Sequence, residues 1–97
     1  MYVVRNVFRT HPGKAKELVA KFQAASPLLA GQGLRNTRIL TDVVADFWTV
    51  VVENEVDDPQ AFFAANDSRQ GQQAARDALA GYMDLVQTGR REIFKVE

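Results

Sequence analysis

Two residues in the N-terminal part of this 97-residue sequence have side chains suited to catalysis, Asn6 and His11. His11 is the single histidine of the chain, and imidazole is the side chain that most often acts as a general base. Asn6 lies inside the run YVVRNVFR, where a buried amide needs a hydrogen-bonding partner. Both are therefore candidate catalytic residues. The alternatives are an exposed histidine beside Pro12 and a core amide bonded to the backbone or to an arginine.

A second set of candidates consists of large aromatic side chains spread over the chain. They are Phe22, Trp48, Phe63 and Tyr82. Aromatic residues provide much of the burial in small domains, so each of them can simply belong to the core. Together they are also the residues expected to line an apolar pocket for a small aromatic ligand, with Asn6 and Tyr82 as its polar members.

Several classes of function are not expected from the composition. The chain has no cysteine, and a lone histidine without clustered carboxylates gives no ligand set, so no metal site is predicted. Twelve basic and twelve acidic residues balance and are scattered, which argues against binding to nucleic acid or to an anionic membrane. No apolar stretch approaches the roughly 20 residues of a membrane span, so a cytoplasmic protein is expected.

The elements that would position these residues follow from the hydrophobic periodicity. Alternating and β-branched runs predict strands, and apolar residues at three- and four-residue spacings predict helices. The run DFWTVVVENEV is apolar on both faces and predicts a central strand. Ser26-Pro27 is expected to interrupt the first helix, and Gly89 to form a bulge or bend in the last strand. The predicted elements are strand 2–9, a helix from 14 that ends at 31–33, strands 34–41 and 46–56, helices 60–65 and 69–83, and strand 85–96.

This order of elements predicts an α+β fold, the ferredoxin-like βαββαβ plait. Two split β-α-β halves make a four-stranded antiparallel sheet with both helices on one face. The length corresponds to one domain, residues 1–97.

The other face of the predicted sheet has no helices over it. Its members include Val3, Val7, Phe47, Thr49 and Val51. Because a large apolar face is unfavourable in water, packing against a second copy is expected, which gives a homodimer paired sheet to sheet. The charged residues of this face are expected to pair with one another or to lie at its rim, since burying them unpaired would be unfavourable. They are Arg5, Glu53, Arg90 and Glu92.

The chain also resembles a known superfamily. The likeness is carried by Asn6 on the first strand, residues 12–15 (PGKA) at the first helix, Trp48 in the valine-rich strand and residues 58–62 (DPQAF) at the second helix. In these features the chain is similar to the dimeric α+β barrel superfamily, which contains the antibiotic-biosynthesis monooxygenases, the heme-degrading monooxygenases and the NIPSNAP-like proteins. The resemblance implies a substrate cavity between the helices and the sheet.

Within that superfamily the heme-degrading branch uses an asparagine on the first strand, and Asn6 is similarly placed. The branch also uses a tryptophan and a histidine from its second helical region. At the matching places this chain has Ala65 and a residue near Arg76, and its histidine, His11, belongs to the first loop. The resemblance therefore supplies no axial heme ligand, and no cofactor is expected.

For function, the resemblance implies a cofactor-independent, monooxygenase-like enzyme acting on a small aromatic or polyketide-like molecule. The substrate would supply the electrons, and the protein would supply orientation and a dry pocket. Two alternatives stay open. One is a non-catalytic protein that binds a small hydrophobic ligand in the same cavity, and the other is a structural dimer whose interior is filled by side chains.

Overall fold

The computed structural model describes residues 1–29, 33–67 and 73–97. Its strands are β1 (Tyr2–Thr10), β2 (Arg35–Thr41), β3 (Thr49–Val56) and β4 (Val86–Lys95). Its helical elements are α1 (Ala15–Leu29), α2 (Pro59–Asp67), α3 (Gln73–Ala78) and a 3₁₀ turn at Tyr82–Asp84. The strands form one sheet in the order β2-β3-β1-β4, and all neighbouring strands are antiparallel. This arrangement confirms the predicted ferredoxin-like α+β fold.

Alternation along the two central strands decides which side chains face the helices. Side chains of a strand point alternately to its two faces, so every second residue of β1 and β3 is directed toward the helical layer. Val4 has no exposed surface and packs with Val56 and Phe62 of α2. Val50 is equally buried and packs with Leu18 of α1. Burial of each such side chain stabilises the fold by about 1.5–3 kcal/mol.

The central strand β3 begins at Thr49, so the prediction of a strand from residue 46 was wrong for its first three residues. Trp48 has a left-handed backbone with φ 65°, a conformation outside the β region. Two hydrogen bonds hold this loop end in place. Thr49 N–H donates to Oδ1 of Asp42 at 2.9 Å, and Thr10 N–H donates to the Trp48 carbonyl at 2.9 Å. Trp48 and Phe47 therefore belong to the β2–β3 loop.

Helix α1 continues through Pro27 to Leu29, so the predicted interruption at Ser26-Pro27 was wrong. The proline lies in the last turn, where its missing N–H removes a single hydrogen bond. The hydroxyl of Ser26 donates to the Phe22 carbonyl at 2.8 Å and ties the same turn together. Of the helix-ending signal predicted at 31–33, residues 31 and 32 lie outside the described part of the chain.

The second helical region differs from the two predicted helices. Helix α2 extends to Asp67, two residues beyond the expected end. Of the helix predicted at 69–83, the start lies outside the described residues, and the described part ends at Ala78. Gly81, three residues beyond the end of this helix, has a left-handed conformation with φ 80° and directly precedes the 3₁₀ turn. No helix in the described ranges is long and apolar enough to cross a membrane.

Gly89 has a different role from the predicted bulge. The β1–β4 register is regular where Gly89 lies opposite Phe8, and the register shift occurs between Arg9 and Thr10. A Cβ at position 89 would lie 3.2 Å from Cδ1 of Phe8. The prediction of a bulge was therefore wrong, and the glycine instead lets the Phe8 ring lie close against β4.

Candidate functional site

A cavity of about 550 Å³ lies between the sheet and the helices. All four regions of the fold that meet there contribute to it: the inward faces of the strands, α1, α2 and the segment around the 3₁₀ turn. Its volume is typical of sites that bind small organic molecules. The lining residues are Asn6, Phe8, Phe22, Ala25, Ser26, Pro27, Leu34, Asn36, Thr37, Val52, Asn54, Phe62, Leu79, Tyr82 and Arg91.

Three aromatic rings form one wall of the cavity. The centroid of Phe8 lies 5.2 Å from that of Phe22 and 6.3 Å from that of Tyr82, and the Phe22 and Tyr82 centroids are 6.2 Å apart. These rings come from β1, α1 and the 3₁₀ turn, so the packing of helix on sheet is what brings them together. The separations are those of interacting aromatic pairs, and a planar ligand could extend the cluster.

The first polar group of the cavity consists of Asn6 and Arg91, which lie directly opposite each other on β1 and β4. Nε of Arg91 donates a hydrogen bond to Oδ1 of Asn6 at 2.7 Å. The guanidinium carbon of Arg91 also lies 5.1 Å from the centre of the Phe62 ring, a cation–π contact that helps to hold the side chain in place. The amide oxygen of Asn6 accepts from Arg91, so its amide nitrogen, which has no hydrogen-bond partner among the described residues, is left as a donor.

The second polar group is formed by Asn54 and Thr37 on β3 and β2. Asn54 is only 5% exposed, and its Oδ1 accepts a hydrogen bond from the hydroxyl of Thr37. The neighbouring Asn36 also lines the cavity, but its amide nitrogen donates to the carboxylate of Glu55. Asn54 and Thr37 therefore give the β2–β3 side of the cavity a neutral polar surface.

The chemistry available in the cavity is that of amides, hydroxyls and one cation. Arg91 is the single charged residue among the described lining residues, and no carboxylate, imidazole or thiol is found among them. The described residues also contain no group of three histidine, cysteine or acidic side chains that could hold a metal ion. The arrangement is suited to stabilising negative charge on an oxygen atom, while a general base is missing from the described lining.

The structure brings together three of the six residues predicted for the site. Asn6, Phe22 and Tyr82 all line the cavity. The amide of Asn6 is bonded to an arginine, as the structural alternative for this residue proposed, yet it also faces the cavity.

The other three predicted residues lie away from the cavity. His11 is exposed in the β1–α1 loop, where its backbone N–H donates to the Leu85 carbonyl at 3.0 Å. Phe63 is 44% exposed, with its ring 5.5 Å from that of Phe62. Trp48 is 42% exposed and lines a separate groove against α1 together with Phe47.

Sequence reasoning missed Arg91, Asn54 and Thr37. All three lie at positions directed toward the helices, and the alternation of each strand carried a usable signal. What was lacking was the register, because a shift of one residue moves every side chain to the opposite face. Had β4 been phased on Ile93, which packs against the core, Arg91 would have been assigned to the inner face.

Comparison with known proteins gives the fold a family context. No family model matches the chain, and no curated protein matches it. Several solved structures are similar to it over almost the whole chain. An uncharacterized NIPSNAP domain protein from Burkholderia xenovorans is similar with a TM-score of 0.81 and 16% identity, covering 100% of this chain and 95% of its own.

Two further structures are similar over almost the whole chain. A candidate antibiotic biosynthesis monooxygenase from Chloroflexus aurantiacus J-10-fl has a TM-score of 0.74 and 17% identity, covering 99% of this chain and 93% of its own. A point variant of SnoaB, a cofactor-independent oxygenase from Streptomyces nogalater, has a TM-score of 0.72 and 21% identity, with 99% and 92% covered. The fold is that of the antibiotic biosynthesis monooxygenase-like and NIPSNAP domain proteins. The expected resemblance is thus confirmed, and at these identities it is a likeness of fold.

On the helix-free face of this fold, the charged residues pair with one another as expected. Arg5 lies between two carboxylates, with Nε 3.4 Å from Glu53 and Nη1 3.7 Å from Glu92. Glu92 also pairs with Arg90 at 3.2 Å, and Glu53 pairs with Arg38. The hydrogen bond that Arg38 donates to Glu53, together with the negative charge of Glu53, raises the pKa of Arg38 above the usual value for arginine, so Arg38 stays charged at any working pH.

Among the uncharged residues predicted for this face, Val3, Val7, Thr49 and Val51 occupy paired positions on β1 and β3 that point away from the helices. Phe47 does not: it precedes β3 and lines the groove against α1, so its assignment to this face was wrong.

Proposed function

We propose that this protein is a cofactor-independent, monooxygenase-like enzyme that acts on a small planar aromatic molecule bearing an ionisable oxygen. The observation that carries the proposal is the Arg91–Asn6 pair at the end of a cavity walled by aromatic rings. The likeness in fold to a cofactor-independent oxygenase supports the same reading. Small aromatic or polyketide-like molecules would match the aromatic wall and the polar groups of the cavity.

The role of Arg91 and Asn6 in this proposal is to stabilise an enolate or phenolate. A guanidinium and an amide N–H directed at one oxygen favour its ionised form. An enolised ketone is electron-rich and can reduce dioxygen. In the overall conversion a CH₂ group and O₂ give a C=O group and water, so the substrate itself provides all four electrons.

The aromatic wall would orient the substrate. Phe8, Phe22 and Tyr82 present ring edges and faces to one side of the cavity, and stacking on them would hold a planar molecule with its oxygen toward Arg91. Since no general base lines the described cavity, the substrate must be acidic enough to ionise with the help of this cation.

Binding without turnover is the second candidate, and the missing base is the observation that favours it. A protein with the same cavity but no reaction would bind the anionic form of an aromatic molecule and release it unchanged. A structural dimer with a filled interior is disfavoured by the open volume of about 550 Å³.

Oxygen uptake distinguishes these functions. Anthrone, an enolisable tricyclic ketone, is incubated with the protein while oxygen consumption and product formation are recorded. We expect one O₂ consumed per ketone oxidised, and Arg91→Leu to lower kcat/KM about 10- to 100-fold. Arg90→Leu is the matched control, because Arg90 is the adjacent residue on β4 and pairs with Glu92 on the opposite face.

Two other results of this experiment would contradict parts of the proposal. Calorimetric binding of anthrone without oxygen uptake would support the binding function in place of the enzyme. Turnover that is equally fast in Arg91→Leu and in the unchanged protein would contradict the role given to the arginine.

We also propose that the helix-free face pairs with a second copy of the chain. The face carries both acidic and basic side chains, so a two-fold axis can bring opposite charges together across it. It also exposes Phe94, which is 51% accessible, beside the outward-facing valines of β1. Sedimentation velocity at micromolar concentration is expected to show a dimer, and a monomer under these conditions would contradict the pairing.

A further inference from the structure

We infer that Asn54, held by Thr37, forms a second binding position in the cavity that recognises a neutral oxygen of the ligand, such as a carbonyl or hydroxyl group. This inference rests on the proposed function, since it adds a second contact for the same aromatic molecule. It defines the ligand class as a planar aromatic with one ionisable oxygen and another, uncharged oxygen elsewhere on the ring system.

The first step of the argument is the hydrogen bonding of Asn54. Its oxygen accepts from Thr37, and its amide nitrogen has no hydrogen-bond partner among the described residues. Buried amides in folded proteins are normally satisfied at both ends. Asn54 is only 5% exposed, so an unused amide donor at this position is expected to have a partner from outside the protein.

The second step is the direction of that donor. Among the described residues, Nε of Arg5 is the one fully enclosed side-chain nitrogen or oxygen without a hydrogen bond. The amide nitrogen of Asn54 is therefore not enclosed, and it keeps some open surface. Because Asn54 lines the cavity, the inference places this remaining surface toward the space where the ligand would bind.

The third step is the position of Asn54 relative to Asn6. The register pairs Asn6 with Val52 and Val4 with Asn54, so the two asparagines are diagonal neighbours on the same face of β1 and β3. Diagonal neighbours across an antiparallel pair are about 7–8 Å apart at their backbones. A ring system lying between them can direct one oxygen to each amide.

The charges of the two positions decide which oxygen goes where. Arg91 makes the Asn6 position favourable for an anion, whereas the Asn54 position has only an amide and a hydroxyl. An ionised oxygen gains more from the guanidinium, which leaves the neutral oxygen for Asn54.

The test uses two probes that differ by one hydroxyl group, 2-naphthoate and 6-hydroxy-2-naphthoate. Their carboxylate stands in for the ionised oxygen, and the hydroxyl supplies the neutral one. Dissociation constants are measured by calorimetry for the unchanged protein, Asn54→Leu and Asn6→Leu. We expect the hydroxylated probe to bind about five- to tenfold more tightly to the unchanged protein, as one neutral hydrogen bond provides.

The two asparagine variants should then have different effects. Asn54→Leu should reduce the preference for the hydroxylated probe to less than about twofold and change 2-naphthoate binding little. Asn6→Leu is the matched control on the adjacent strand, and it should weaken both probes while the preference remains. If Asn54→Leu does not fold, Thr37→Val provides the second variant, because it removes the hydroxyl that orients the amide and should lower the preference.

The possible failures can be told apart. If the unchanged protein binds neither probe, the proposed function is overturned and the second position with it. If it binds both equally, or if Asn54→Leu keeps the preference, the second position is overturned while the anion site at Arg91 stands.

Discussion

Polar side chains make different kinds of contact on the two faces of the sheet. On the helix-free face the charged groups form ion pairs with one another, with Arg5 between Glu53 and Glu92. On the face toward the helices, the amide oxygens of Asn6 and Asn54 each accept a hydrogen bond within the protein, and both residues line a cavity. Ion pairs between neighbouring strands contribute to the stability of the sheet, whereas amide donors without a protein partner beside a cavity are suited to a ligand. The comparison supports the two proposals, assembly at the helix-free face and ligand binding at the other.

The largest expected effect concerns the packing under the helices. Leu18 has no exposed surface and lies at the centre of the core between α1 and the sheet. Leu18→Ala should lower the free energy of unfolding by about 2–5 kcal/mol, because it removes buried methyl groups and leaves a void. Urea denaturation measures this change. Leu28→Ala on the same helix is the control, since Leu28 is 43% exposed and should cost less than about 1 kcal/mol.

The next largest effect is expected on the dimer dissociation constant, which tests the proposed pairing through the helix-free face. Val7 lies on β1 opposite Val51 and Arg90, pointing away from the helices. Val7→Asp would place an unpaired carboxylate in the proposed interface, so the dimer dissociation constant should rise at least about tenfold, or 1.4 kcal/mol. Sedimentation equilibrium measures it. Val44→Asp, at a loop residue that is 95% exposed, should leave the constant unchanged, and equal weakening by both variants would contradict the interface.

The smallest expected effect is on the free energy of unfolding, and it compares two arginines of the helix-free face that differ in burial. Arg5 is bracketed by two carboxylates and half-buried, so Arg5→Met leaves both without their central partner. A loss of about 1–2 kcal/mol in the free energy of unfolding is expected, between the values for exposed and buried ion pairs. Arg38→Met is the comparison: its guanidinium is exposed, so no measurable change is expected. Equal losses for the two variants would show that burial does not distinguish these pairs.

Much of the fold could be predicted from local patterns. The strands β1, β2 and β4 were placed within one residue at each end, because alternating and β-branched runs reflect the faces that a strand buries. The errors occur where contacts distant in sequence decide the outcome. Trp48, whose carbonyl accepts from Thr10, has a left-handed backbone outside the β region, and Gly89 leaves room for the ring of Phe8, across from it on β1.

The same reasoning predicted only some of the residues that line the cavity. Asn6 was identified because a polar residue in an apolar run needs an explanation, and Phe22 because it repeats on the apolar stripe of a helix. Arg91 and Asn54 lie in mixed polar runs, where the side chain directed inward cannot be recognised without the register.

The sequence by itself determined the order of elements and the presence of apolar faces, since both depend on residues close together in the chain. Only the tertiary structure decided which polar groups meet. Asn6 and Arg91 are 85 residues apart and Thr37 and Asn54 are 17 apart, and each pair meets because neighbouring strands pair in the sheet. Register depends on pairing between strands, so the cavity's chemistry is a property of the folded sheet.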